Sequence, residues 1–142
     1  MMDRLPLIDK LCIGFSATPE AVWGAIFEVV RAKMNGSIGM AQFLKAVPVK
    51  STIKFNAVGD TVPGFEIIEV EANKKLVLKG RHRFSKYQLT FTIESNRLCA
   101  QTHARFPGLL GAVYKALVIY SGAHESVTKS LLKQIIMHTK IA

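Results

Sequence analysis

The sequence predicts an α+β domain: a curved antiparallel sheet of about six or seven strands wrapped around one long C-terminal helix, with two short helices after the first strand. Three observations carry that expectation. Residues 107–139 repeat apolar side chains at three- and four-residue spacing (Leu110, Val113, Leu117, Val127, Leu131, Ile135), enough for about nine helical turns. From Val49 to Phe106 the period drops to two, the period of a strand. The whole chain, 142 residues of which 49% are apolar, fits one domain at 1–142 with a core of its own.

The elements follow in order. Residues 7–15 (LIDKLCIGF) alternate, with Leu11, Ile13 and Phe15 on one face and Lys10, Cys12 and Gly14 on the other. Thr18 then offers an N-cap, Pro19 the first helical position and Glu20 a carboxylate at the positive end of the helix dipole, so a helix is expected from Pro19 to about Lys33. Its apolar face is Val22, Ile26, Val29 and Val30, with Trp23 at the flank. Asn35-Gly36 stops it, and a shorter helix over 37–46 follows, with Ile38, Ala41 and Leu44 at helical spacing.

Strands are expected over 51–57 and 65–71, the second with Ile68 and Val70 on one face and Glu69 and Glu71 on the other, with AVGDTVPG as the turn between the two. Two hairpin loops, Ser85-Lys86 and Ser95-Asn96, register the next three strands. The first sets Phe84 opposite Tyr87, His82 opposite Leu89, Gly80 opposite Phe91 and Leu78 opposite Ile93. The second sets Ile93 opposite Leu98, Phe91 opposite Ala100, Leu89 opposite Thr102 and Tyr87 opposite Ala104. The outward face then carries Lys79, Arg81, Arg83, Gln88, Thr90, Thr92, Gln101, His103 and Arg105, a polar and basic surface for the wet side of an antiparallel sheet.

Composition limits the function classes. The net charge of +9 attracts anions, yet Lys and Arg are scattered without a basic run, and nucleic-acid recognition motifs are missing, so nucleic acid is not the expected partner. The basic row Lys79, Arg81, Arg83 and Arg105 reads either as a solvated face or as a docking surface for an anionic membrane. The two cysteines, Cys12 and Cys99, form no metal or redox motif, which points to reduced thiols in a cytoplasmic protein. No metal-ligand cluster, phosphate-binding glycine loop or nucleophile with an adjacent base is evident, so no cofactor is expected.

The order of elements, together with ATPEAVW at 17–23, VGDTVPGFEIIEVE at 58–71, ARFPGLLGAVYKAL at 104–117 and SLLKQI at 130–135, resembles the helix-grip fold of the START-like superfamily. This is also called the polyketide cyclase superfamily, and the chain looks like its small uncharacterised bacterial members. The resemblance implies a cavity between sheet and long helix. Members bind lipids, sterols, hormones or aromatic polyketides there, and some are enzymes or chaperone cofactors.

The residues say who would line such a cavity. Gly80, Ala100, Thr102 and Ala104 are small inward positions that leave room opposite Gly122 and Ala123. Glu66, His82, Tyr87 and Thr102 from strands and His124 from the helix supply polar groups, and Phe91, Leu117 and Ser121 complete the expected ligand-binding set. Binding of a small hydrophobic or lipid-like ligand, without covalent catalysis, is the leading expectation. A cyclase or isomerase with Glu66 and His82 exchanging protons with a carbonyl substrate is the alternative. A protein- or ribosome-interaction module, suggested by the basic charge, is a third, and the oligomeric state stays open.

Overall fold

The computed structural model describes residues 5–120 and 122–141. Strand β1 (Leu7–Gly14) leads into helices α1 (Pro19–Asn35) and α2 (Ile38–Phe43). Strands β2 (Thr61–Val62), β3 (Phe65–Glu71), β4 (Lys75–His82), β5 (Ser85–Glu94) and β6 (Arg97–Arg105) follow, then α3 (Gly108–Lys115), a π-helical turn (Ala116–Tyr120) and α4 (Ala123–Ile141). The six strands form one antiparallel sheet in the order β1-β6-β5-β4-β3-β2. Helices α1 and α4 pack together, and with the inward face of the sheet they make a helix-grip arrangement. No helix among the described residues is long and apolar enough to cross a membrane.

The first helix forms as its sequence dictates. Thr18 Oγ1 accepts from the Ala21 amide at 3.1 Å, and Val22, Ala25, Ile26, Val29 and Val30 are buried. They meet Leu76, Leu78, Phe91, Leu98 and Ala100 of the sheet and Leu132, Ile135 and Ile136 of α4 in one core. Across the two helices, His138 Nε2 in the last turn of α4 lies 2.5 Å from Oε2 of Glu28 in the middle of α1.

The expected strand over 51–57 is a loop. Its alternation buries only Phe55, while Ile53 is 91% exposed, so there is no apolar face to hold a strand in register. Polar bonds shape the segment instead: Thr61 Oγ1 donates to the Lys50 carbonyl at 2.7 Å, and the Asp60 carboxylate accepts from the Asn56 and Ala57 amides at 3.0 Å. Those two amides hold the Asp60 pKa below its usual value. The Pro63-Gly64 turn matches its sequence, Gly64 taking a φ of 91°.

The β5–β6 hairpin has the expected register throughout, including Tyr87 opposite Ala104 and Leu89 opposite Thr102. The β4–β5 hairpin does not. Its turn residues are Arg83 and Phe84, so His82 faces Ser85, Gly80 faces Tyr87, Leu78 faces Leu89 and Leu76 faces Phe91. Within the turn the Phe84 amide donates to His82 Nδ1 at 3.1 Å, and from outside the local sequence the Leu44 carbonyl accepts the Arg83 amide at 2.8 Å and Tyr114 stacks on the Phe84 ring at 5.4 Å. The pairing differs from expectation by four residues along β4, an even number, so the inward face is unchanged. Arg83 leaves the basic row for the turn, where its guanidinium lies 5.9 Å from the rings of Phe43 and Phe84.

Two other expectations are corrected. The C-terminal helix is interrupted by the π-helical turn and by Gly122, whose φ is 81°. A π turn and a break shift the helical phase, and the stripe chosen from sequence is exposed at Leu110, Val113, Leu117 and Val127, Leu117 at 67%, and turns inward only towards its end, where Ile135 is buried. Cys12 and Cys99 are opposite each other on β1 and β6 and form a disulfide, so the expectation of reduced thiols is overturned by their pairing across the two strands.

Candidate functional site

Between the sheet and the helical layer lies a cavity of about 280 Å³. Its floor is Tyr87 and Leu89 of β5 with Thr102 and Ala104 of β6. Its roof is Tyr114 of α3, Val118 and Ile119 of the π-helical turn, and His124, Thr128 and Leu131 of α4. Phe65, His82 and Val30 close the sides. Along β5 the Thr102–Leu89 row and the His82–Ser85 row are four residues apart, about 13 Å at strand pitch.

One end of the cavity is aromatic. The His82 ring lies 5.0 Å from Tyr114 and 5.6 Å from Tyr87, and Phe65 lies 5.2 Å from Tyr87. Burial lowers the His82 pKa from its ordinary 6.5, and its Nδ1 already accepts the Phe84 amide, which only an unprotonated nitrogen can do. The Tyr87 hydroxyl donates to the Gly64 carbonyl at 2.6 Å. Burial, and secondarily the neighbouring Tyr114, push the Tyr87 pKa far up, so it stays a neutral donor at any physiological pH. Burial likewise raises Tyr114.

The sign of the His82 shift gives a testable pH dependence. The unfolded chain takes up a proton near pH 6.5 while the folded imidazole still resists it. The stability that neutral His82 contributes is therefore complete above pH 6.5 and is lost as pH falls through the lowered native value. Urea midpoints at pH 7.5 and pH 5 should fall further apart for the wild type than for His82→Asn, which retains an acceptor but does not titrate. Equal separations in the two proteins would contradict the buried neutral imidazole.

The structure brings His82, Tyr87, Thr102 and His124 around this one cavity, although Thr102 lies in the row of Leu78 rather than of His82. Other expected members are elsewhere. Phe91 and Ala100 are fully buried in the closed part of the core. Leu117 faces outward, and Ser121 lies outside the described residues. Gly80 does not provide room, because the Gly64 carbonyl and the Tyr87 ring occupy the space over it.

Glu66 is opposite Lys79 and lines a separate groove on the outer face with Ile68, Lys79 and Arg81. The cause is a bulge in β3 between Ile67 and Glu69, which puts Phe65, Ile67 and Val70 inward and reverses the alternation expected at Glu66. Glu66 and His82 thus open on different faces of the sheet, and the proton-transfer pair expected from sequence does not assemble.

Asp9 was absent from the expected set and belongs to this region. It pairs with Thr102 across β1 and β6 beside a bulge, and its Oδ2 lies 3.4 Å from His124 Nε2. The signal was available, since Asp9 alternates with Leu11 and Ile13. Tyr114, Val118 and Ile119 had a weaker signal, because residues 109–120, Lys115 apart, are so dense in apolar side chains that no one face stands out. No group of three or more His, Cys, Asp or Glu residues placed to hold a metal occurs among the described residues.

No protein-family profile and no curated protein matches the chain. Solved structures do. Mll3558 from Rhizobium loti has a TM-score of 0.58 at 12% identity, over 94% of this chain and 95% of that one. KanY gives 0.55 at 13% identity over 98% and 99%. DynU16, a putative protein in the dynemicin biosynthetic locus, gives 0.54 at 12% identity over 98% of this chain and 48% of its own. At such identities the likeness is one of fold.

Proposed function

We propose that this protein binds a small, mostly apolar organic ligand between the sheet and the α3–α4 layer, without covalent catalysis, and that it is a member of the START-like and polyketide cyclase superfamily. The observation that supports this reading is the cavity: about 280 Å³, walled by Val30, Leu89, Ala104, Val118 and Leu131, with few polar groups. That volume is at the lower end for small-molecule sites, so it suits one or two rings or a short acyl chain better than a sterol or a long-chain lipid.

Naphthalene is a suitable probe. Titration followed by ligand fluorescence should give saturable binding with one site per chain. Ala104→Leu, which fills the floor of the cavity, should weaken that binding by about tenfold or more, roughly 1.4 kcal/mol. Unchanged affinity in a folded Ala104→Leu protein would place the site elsewhere, and no saturable binding of this or any similarly sized apolar probe would overturn the reading.

A further inference from the structure

Beside the end of the cavity away from the aromatic cluster lie buried polar atoms that no group among the described residues satisfies. Thr102 is 7% exposed and lines the cavity, and its Oγ1 has no hydrogen-bond partner. On the neighbouring strand Asp9 stands opposite it, with Oδ1 buried and also without a partner. His124, in the first turn of α4, lines the same cavity; its Nε2 is 3.4 Å from Asp9 Oδ2 but makes no aligned hydrogen bond. A buried polar atom left unpaired costs about 1–3 kcal/mol, so three of them converging beside an otherwise apolar cavity reward whatever completes them.

We propose that Thr102, His124 and Asp9 anchor the hydroxyl group of a neutral phenol or alcohol, whose apolar body extends toward the rings of His82, Tyr87 and Tyr114. This rests on the ligand-binding reading above and names the ligand's chemistry. A hydroxyl both donates and accepts, so it complements a site with a threonine hydroxyl, an imidazole and a carboxylate. Thr102 makes the direct contact. Asp9 is a positioning residue: it orients His124 and sets the charge of this end. A carboxylate ligand has only acceptors to offer and meets the Asp9 charge, while a hydrocarbon leaves Thr102 unpaired. The roughly 13 Å between the Thr102 and His82 rows accommodates a body of two fused rings.

The test compares three probes of one shape, naphthalene, 2-naphthol and 2-naphthoate, by calorimetric or fluorescence titration at pH 7.5. In the wild type 2-naphthol should bind about tenfold tighter than naphthalene, and 2-naphthoate weakest, since a lost partner for a buried polar atom is worth about that factor. Thr102→Val should reduce the naphthol advantage to about twofold or less, and Thr102→Ser should keep the advantage. Asp9→Asn should raise 2-naphthoate affinity by about fivefold or more relative to naphthalene, a change in charge selectivity that a general loss of packing would not produce. If naphthalene and 2-naphthol bind the wild type equally, or if Thr102→Val retains the preference, the anchor is wrong and the cavity reading stands. If none of the three binds, both are wrong. Should Thr102→Val fail to fold, a Thr102→Ser protein that loses the preference for 2-naphthol overturns the anchor.

Discussion

Gly80→Ala destabilises the protein by about 3 kcal/mol or more, at the upper end of the cost of overpacking. A Cβ at Gly80 falls 1.9 Å from the Gly64 carbonyl oxygen and 2.7–2.8 Å from the Tyr87 ring and hydroxyl. None of these can step aside cheaply. Gly64 O already accepts the Tyr87 hydroxyl, and Gly64 N donates to the Pro48 carbonyl at 2.7 Å. Next to Gly80, Arg81 exchanges both backbone bonds with Val47, at 2.7 and 3.1 Å, so β4 cannot back away either. The cost is purely steric, since the Gly80 φ is not in the left-handed region. Urea denaturation should show the midpoint falling by roughly 1–3 M at ordinary m-values for a small domain. A Gly80→Ala protein within 1 kcal/mol of the wild type would mean that the Gly64 turn is not held where the structure has it.

Breaking the Cys12–Cys99 link is the second large effect. It joins positions 87 residues apart. A cross-link closing so long a loop removes much of the freedom of the unfolded chain, and losing one typically costs about 2–5 kcal/mol. For a domain of this size that is roughly 10 °C in Tm. The double variant Cys12→Ser/Cys99→Ser, or the wild type with reductant, should show that drop, and the oxidised wild type should titrate with no free thiol among its two cysteines. Two reactive thiols in protein purified under air, or a Tm indifferent to reductant, would count against the link.

How far the sequence could be read follows from which forces act locally. Thr18, Pro19 and the Val22–Val30 face determine α1 within a few turns of chain, and Ser95-Asn96 determines its own hairpin, Ser95 taking a φ of 55°. The inward face of β4, β5 and β6 was legible even where the β4–β5 register was not, because an even displacement preserves the side of the sheet. What misled were features that insert or remove one residue from a period. The bulge in β3 moved Glu66 to the outer face, and the π-helical turn moved Leu117 outward. Residues 65–71 or 109–120 read alone fit either phase. The candidate site was therefore half visible: His82, Tyr87, Thr102 and His124 could be named and the alternation of β1 pointed to Asp9, while the Asp9–His124 contact and the packing of Tyr114 on His82 and Phe84 depended on elements meeting in space.

The strand order has a consequence in time. β1 is an edge strand whose one partner in the sheet is β6, with Leu11 set against Ala100. As the chain leaves the ribosome, its first strand has nothing to pair with until its last strand has been made. The β2–β5 meander can zip through short loops, but the pairing of β1 must close the longest loop in the sheet, the slow kind of contact that lowers folding rates. Until then Leu11 and Ile13 are exposed on an unpaired strand, and this is the window in which the nascent protein is most open to association with other chains.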